Sequence, residues 1–283
     1  MRASHSSTTS LVTDLSLKSR PAPKTQVAST GALGVPVAPV DIEASCVSKT
    51  FAGTPIFSDV SFRLVRAEAV ALVGANGTGK STLLRCLMGL LPVSDGRVVL
   101  LGQDTGTTSH AALRGLRARI GLVSQKHNLV PRLSVLSNVV HGLLGQRPGL
   151  RHWSHRFAPE ASRLDAMQAL EKVGLADLAL RRADRLSGGQ SQRVAIARAI
   201  VGAPEILIAD EPCASLDPAA GEDVMDLFFQ LARENGVTVV FTSHHIDHAL
   251  RYGDRVLGLA EGRLRLDATA ASLKPADLRG LYD

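Results

Sequence analysis

The nine residues Gly74-Ala75-Asn76-Gly77-Thr78-Gly79-Lys80-Ser81-Thr82 carry the clearest chemistry in the sequence. They follow the apolar run AVALV and precede the helical run TLLRCLMGLL, so the glycine-rich turn lies between a strand and a helix. Glycines in such a turn let successive backbone N–H groups face inward and cradle phosphate oxygens. The helix start adds a partial positive charge. Lys80 is placed to bind the β and γ phosphates of a nucleotide, and the Ser81 hydroxyl to ligate Mg²⁺. A second acidic element fits this chemistry. The run EILIADEP ends in Asp210-Glu211. After a phosphate loop, the first carboxylate at such a strand end holds Mg²⁺, directly or through water. The second, Glu211, reaches toward the γ phosphate and can act as general base on the attacking water.

A third stretch, RLSGGQSQRVAIARAIV (185–201), poses a question. Val194, Ala197 and Val201, with Ile196 and Ile200, fall at helical spacing and predict a mostly buried helix. Yet Ser187-Gly188-Gly189-Gln190 puts two glycines where that helix begins, at a cost to helix stability and with no side chain to pack. Something must approach this backbone closely.

The elements that position these groups follow an α/β alternation. Residues 69–74, 119–124, 205–210 and 237–243 are short, doubly apolar runs suited to strands buried on both faces of a parallel sheet. Residues 255–268 read as a hairpin turning at Glu261-Gly262. The segment from about 126 to 192 breaks the alternation. It is largely helical, as in ASRLDAMQALEKVGL (161–175), and reads as an insertion into the α/β core. Residues 1–40 are rich in Ser, Thr, Ala and Pro and lack the apolar core of a signal peptide, so a disordered tail is expected. Residues 41–283 then form the folded domain.

Composition bounds the function. Apolar residues make up 45% of the 283-residue chain, enough for a large core. The net charge of +6 favours acidic partners such as nucleotide, nucleic acid or a membrane surface. No motif supports a nucleic acid. Cys46, Cys86 and Cys213 have no metal-ligand spacing and suit a reduced compartment. No apolar run reaches the roughly 18 residues of a membrane span.

With the phosphate loop, LSGGQ and ADEP in this order, residues 41 to 283 resemble the ATPase subunit of ATP-binding cassette (ABC) transporters. The resemblance implies a P-loop cassette: a mainly parallel core sheet, an antiparallel β subdomain and an inserted helical subdomain. It implies that Gln125 touches Mg²⁺ and the water, that Ser215-Leu216-Asp217 crosses a dimer interface, and that His244 contacts the γ phosphate and holds Glu211. Register from Thr242 favours His244 for that role, and His245, its neighbour, is expected to be an ordinary surface residue or one that lies behind the site. Phe51 occupies the adenine-stacking position, with Phe57 as the other candidate. Two copies are expected to face each other head to tail, so that Ser187, Gly188, Gly189 and Gln190 of one close on the ATP held by the other. Each dimer then holds two ATP and two Mg²⁺. The resemblance also implies a membrane permease, a separate substrate-binding protein, and a peripheral place on the cytoplasmic face of the inner membrane.

Within the family, SQKHNLVPRLSVLSNVVHGLLG (124–145) and HHIDHALRYGDRVLGLAEGRL (244–264) look like the phosphonate-import branch. Cys213, Ser191 and residues 149–162 depart from that branch, which leaves phosphite, phosphate or another small oxyanion as alternatives, and an exporter ATPase as a further one. The apolar residues and Arg132 of HNLVPRLSVLSNV (127–139) are expected to meet the permease. Relatives that act on DNA carry a long coiled coil between phosphate loop and signature; here that interval is short and holds no sustained heptads.

Overall fold

The computed structural model describes residues 38–214 and 216–282. The expected tail therefore lies almost wholly outside the described residues, as does Ser215. The strands in chain order are β1 (Val40–Phe51), β2 (Thr54–Val65), β3 (Ala69–Val73), β4 (Asp95–Leu100), β5 (Gln103–Asp104), β6 (Ile120–Ser124), β7 (Ile206–Asp210), β8 (Thr238–Thr242), β9 (Arg255–Ala260) and β10 (Arg263–Thr269). The helices are α1 (Lys80–Leu87), α2 (His110–Arg117), α3 (Val135–Val140), α4 (Glu160–Lys172), α5 (Gly188–Ile200), α6 (Pro218–Glu234), α7 (Ile246–Tyr252) and α8 (Pro275–Arg279).

The doubly apolar runs form β3, β8 and β7 inside, and β6 at one edge, of a six-stranded sheet of order β10-β9-β3-β8-β7-β6, parallel except for β10. Alternation along each strand splits its side chains between two cores. Ala69, Ala71, Val73, Leu207, Ala209, Val239 and Phe241 join α3, α4, α5 and α6 on one face. Val70, Leu72, Ile206, Ile208 and Val240 join α1 and the β subdomain on the other. Such strands need apolar residues at every position, which is why they stand out in the sequence.

The β subdomain is an antiparallel sheet of order β2-β1-β4-β5. The hairpin of β9 and β10 turns at Glu261 and Gly262, with φ of 51° and 68°. Two positive φ values suit the twist of a two-residue hairpin. This turn also ties the sheets together, because Ser58 N donates to Gly262 O at 2.8 Å. Two expectations need adjusting. The helix after the phosphate loop ends at Leu87 rather than running on to Leu91, since Gly89 takes a φ of 63°. The helix in 127–139 packs inward: all six residues of α3 are buried, and Val130 is the large apolar residue of that stretch left exposed.

Candidate nucleotide site

Strand order places the functional groups side by side at the carboxyl edge of the parallel strands, where open α/β sheets bind ligands. Thr242 on β8 sits between Leu72 on β3 and Asp210 on β7, and Asp210 pairs in turn with Ser124 on β6. The loops leaving β3, β8, β7 and β6 carry Gly74, His244, Glu211 and Gln125 respectively.

The phosphate loop needs its glycines for distinct reasons. Gly74 has φ 144°, and a Cβ there would lie 2.1 Å from the Leu259 carbonyl oxygen. Gly79 caps α1 at φ 99°, with Ile56 Cγ2 2.9 Å from where a Cβ would stand. Gly77 has open space around it but a φ of 80°. Lys80 follows at the first position of α1 and is only 6% exposed. Its ammonium donates to Gly74 O at 2.7 Å and Ala75 O at 2.8 Å. Burial pushes its pKa down, while Glu211 and Asp210 pull it back up. A cation held on two carbonyls beside two carboxylates is poised to exchange them for phosphate oxygens.

The acidic pair is organised by Thr242, which is fully buried. Its hydroxyl donates to Asp210 Oδ1 at 2.8 Å and accepts from Glu211 N at 2.9 Å. That second bond holds Glu211 at φ 52°, a left-handed conformation that costs a non-glycine residue about 1–3 kcal/mol. The Glu211 carboxylate then meets His244 Nε2 at 2.6 Å. An ionised Glu211 accepts this bond, so Nε2 carries the proton. His245 instead donates its backbone N–H to Ser243 Oγ at 3.0 Å. The described residues fit a Mg²⁺ nucleotide. Asp210 commits one carboxylate oxygen to Thr242, and Ser81 and Gln125 offer neutral oxygens. Mg²⁺ is commonly held by one or two carboxylates with phosphates and waters completing its shell.

Phe51 and Phe57 separate cleanly. Phe57 is 1% exposed inside the core, whereas Phe51 is 44% exposed with the Lys49 ammonium 4.8 Å from its ring centre. Only Phe51 offers a face to a base. Gln125 stands exposed on a loop whose next residues, His127 and Asn128, both have positive φ. Arg198 on α5 donates to both of their carbonyls at 2.6 Å and fixes that loop.

The Ser187–Gln190 segment has a local explanation for half of its residues. Ser187 Oγ accepts from Gln190 N at 3.3 Å, and Gln190 Oε1 accepts from Ser187 N at 3.0 Å, a capping box that starts α5. The glycines between them have no such reason. Both are helical with ordinary φ, and a Cβ on Gly189 would meet nothing nearer than Ala220 Cβ at 3.9 Å. Ser187 and Gly188 are exposed. Asp217 is exposed as well and caps α6, its Oδ1 accepting from Ala220 N at 3.0 Å.

The sequence profile of the ABC transporter family matches residues 57–214, from the β subdomain through the phosphate loop and signature to the acidic pair. The chain belongs to that family. Among its relatives, the cassette is 49% identical over 227 residues to a phosphonates import ATP-binding protein of Frankia casuarinae, covering 80% of this chain and 89% of that one. It is 47% identical over 249 residues to a phosphate-import ATP-binding protein of Mycolicibacterium smegmatis, covering 87% and 94%. A solved dimeric ABC cassette in a post-hydrolysis state, bound to ADP and phosphate, superposes with a TM-score of 0.71 at 32% identity, covering 81% of this chain and 98% of that one. The fold is thus the P-loop ABC cassette with its parallel core, β subdomain and inserted helices. No described helix is long and apolar enough to cross a membrane.

Two residues of the cassette's site escaped the sequence reading. Thr242 carries no motif of its own. Its importance comes from sitting between two sheet neighbours. Tyr282, four residues beyond Leu278 near the chain end, donates its hydroxyl to Ser243 O at 3.0 Å. No local pattern announces that contact.

Proposed function

We propose that this cassette hydrolyses ATP to drive uptake of a phosphonate through a separate membrane permease, working as a head-to-tail pair. The observation that carries the ATPase half is the Glu211–His244 bond at 2.6 Å, set beside Lys80 at the carboxyl edge of the sheet. The phosphate loop and Lys80 bind the triphosphate, and Phe51 stacks on the adenine. Ser81, Asp210 and Gln125 hold Mg²⁺, which when bound neutralises charge developing on the phosphates. Glu211 accepts a proton from the attacking water as the water's oxygen bonds to the γ phosphorus and the bond from that phosphorus to the β–γ bridging oxygen breaks, so that ADP leaves with the bridging oxygen and its charge. His244 keeps Glu211 aimed and meets the γ phosphate. The exposed Ser187-Gly188-Gly189 backbone of the second copy closes over the same nucleotide with its free N–H groups. ATP binding therefore favours the closed pair, and cleavage releases it.

The permease meets the cleft of about 330 Å³ beside Gln125, lined by Leu122, Asn128, His141 and Arg198 among others. Exposed Leu122 on β6 at that cleft and Val130 on the loop of Gln125 give it apolar ground. A binding protein delivers the substrate to the permease, and the cassette stays peripheral on the cytoplasmic face of the membrane.

The substrate class rests on the sequence likeness and on the relatives' names. The Mycolicibacterium relative supports a second reading, phosphate uptake. Growth separates them. A strain deleted for this chain is complemented with the wild type or with Lys80→Ala, then grown on a phosphonate or on limiting phosphate as sole phosphorus source. Rescue on phosphonate by the wild type alone is the expected result. Rescue only on limiting phosphate replaces the substrate, and rescue by Lys80→Ala removes the ATPase reading.

A further inference from the structure

The last residues of the chain reach back into the site. Leu278 in α8 and Leu281 just beyond it are buried, and Leu281 lies against Gly258 of β9, where a Cβ would come within 2.5 Å of its Cδ1. This places the Leu281 carbonyl over the phosphate loop, where it accepts from Ala75 N at 2.9 Å. Tyr282 then packs at the edge of the core, and its hydroxyl donates to the Ser243 carbonyl at 3.0 Å. The peptide bond that carries this carbonyl leads directly into His244. Burial pushes the phenol's pKa up, with the Gly74 backbone pulling it down. The hydroxyl stays protonated and able to donate through the neutral pH range. One dipeptide thus holds the entry to the phosphate loop and the entry to His244 at once.

The geometry points to Tyr282, with the Leu281 carbonyl, as a positioning clasp that sets His244 against Glu211 by fixing the Ser243 peptide relative to the phosphate loop. The inference rests on the proposed role of His244. Tyr282 is bonded to the Ser243 carbonyl and acts through that backbone. Removing only the hydroxyl leaves the ring packed and the Leu281–Ala75 bond in place. It frees the Ser243 carbonyl, and with it the angle at which the imidazole approaches the carboxylate.

The test compares full-length wild type with Tyr282→Phe, His244→Ala and a chain ended after Gly280. Tyr282→Phe should lower kcat for ATP hydrolysis about tenfold, a loss in keeping with a small misplacement of a catalytic group. It should leave KM for ATP within about twofold, the pattern of an interaction made in the transition state. Melting temperature should stay close to wild type. The imidazole NMR signal of His244 should shift or broaden while that of remote His152 stays put. The shortened chain should also change ATP affinity, because it frees Ala75 N. Wild-type kcat in Tyr282→Phe, with His244→Ala inactive, overturns the clasp and leaves the site reading intact. Wild-type turnover in His244→Ala removes the site reading itself. A fall in kcat with an unmoved His244 signal also overturns the clasp.

Discussion

Replacing Thr242 by valine keeps the shape of a fully buried side chain and deletes one oxygen, which makes it the sharpest test of how the acidic pair is held. Two bonds vanish together: the donation to Asp210 Oδ1 and the acceptance from Glu211 N. A hydrogen bond to a charged group contributes about 1.5–3 kcal/mol, and an orphaned buried N–H costs about 1–3 kcal/mol. Asp210 and Glu211 are only partly buried, so water recovers some of each. The expected net loss is about 2–4 kcal/mol of stability. At about 2–4 °C per kcal/mol, the melting temperature drops by roughly 5–15 °C. The larger effect falls on turnover. The left-handed Glu211 backbone stores about 1–3 kcal/mol, comparable to the bond that restrains it, so losing the bond lets the peptide relax and swings the carboxylate away from His244. A displacement near 1 Å corresponds to a loss of about 10²-fold in kcat. ATP affinity should hold, since Lys80 and the phosphate loop are untouched. Thr242→Ser is the control: it keeps the hydroxyl and gives up one methyl group, about 0.8 kcal/mol. Steady-state hydrolysis with a coupled phosphate assay, alongside thermal melting, reads both effects. A valine variant turning over within twofold of wild type, or a serine variant as damaged as valine, would refute the reasoning.

Other expectations follow from the same geometry. Glu211→Gln should bind ATP and run as a stable dimer on size exclusion, with hydrolysis down by about 10²–10⁴-fold, the usual contribution of a general base; fast turnover would unseat Glu211. Phe51→Ala should weaken ATP binding by about 1–3 kcal/mol in a titration while barely moving the melting temperature. Phe57→Ala should instead lose about 3–5 kcal/mol of stability, because that ring is core. Equal behaviour of the two would reject the separation drawn between them. Glu205, bonded by Arg119 at 2.6 and 2.8 Å, has its pKa lowered first by that hydrogen bond. A carboxylate with a folded pKa below its unfolded one stabilises the fold above the unfolded value and loses this as pH falls through the folded value. Glu205→Gln should therefore destabilise at pH 7, and the gap to wild type should close at acid pH. A gap that widens on acidification would reverse the sign.

What the sequence made legible follows from how each feature is encoded. Strands β3, β7 and β8 are almost wholly buried and mostly apolar, so these runs are visible without knowing their partners; edge strand β6 shares the apolar run although its Leu122 is exposed. Lys80, Asp210, Glu211 and His244 sit in short contiguous motifs because a loop at a strand end supplies several groups from a few successive residues. The β subdomain was expected through family likeness alone. β2 alternates buried and exposed positions along a bulged ladder with β1, a weaker signal that register shifts interrupt. Thr242 and Tyr282 were invisible for a different reason. Their partners lie 32 and 39 residues away in sequence, and only sheet order and the return of the C-terminus bring them together. Phe51 and Phe57 could not be told apart with certainty either, since they lie six residues apart on the paired strands β1 and β2 and burial is what distinguishes them.

The glycines at 188 and 189 show why one chain is an incomplete account of its own sequence. Intrachain forces explain Ser187 and Gln190, which satisfy each other's backbone at the start of α5. The same forces give no reason for glycine at the next two positions, since glycine is a poorer helix former than alanine. An added Cβ on Gly189 would meet only ordinary contact within the chain, and Gly188 would press on one flexible leucine. Their ordinary φ removes the conformational excuse that Gly77 has. What is left is an exposed helix start with bare N–H groups and no side chain to keep a ligand off. The phosphate loop has the converse character: its Lys80 is tied to its own carbonyls until an anion arrives. A cation waiting for phosphate and a backbone cleared for close approach are complementary halves. In the proposed sandwich of two copies, these halves meet over one nucleotide. Gly189→Ala then becomes the discriminating change. It should leave the isolated fold as stable or slightly more so, and still weaken ATP-driven dimerisation of a Glu211→Gln background. A Gly189→Ala chain that dimerises as tightly as its parent would mean that nothing closes on this surface.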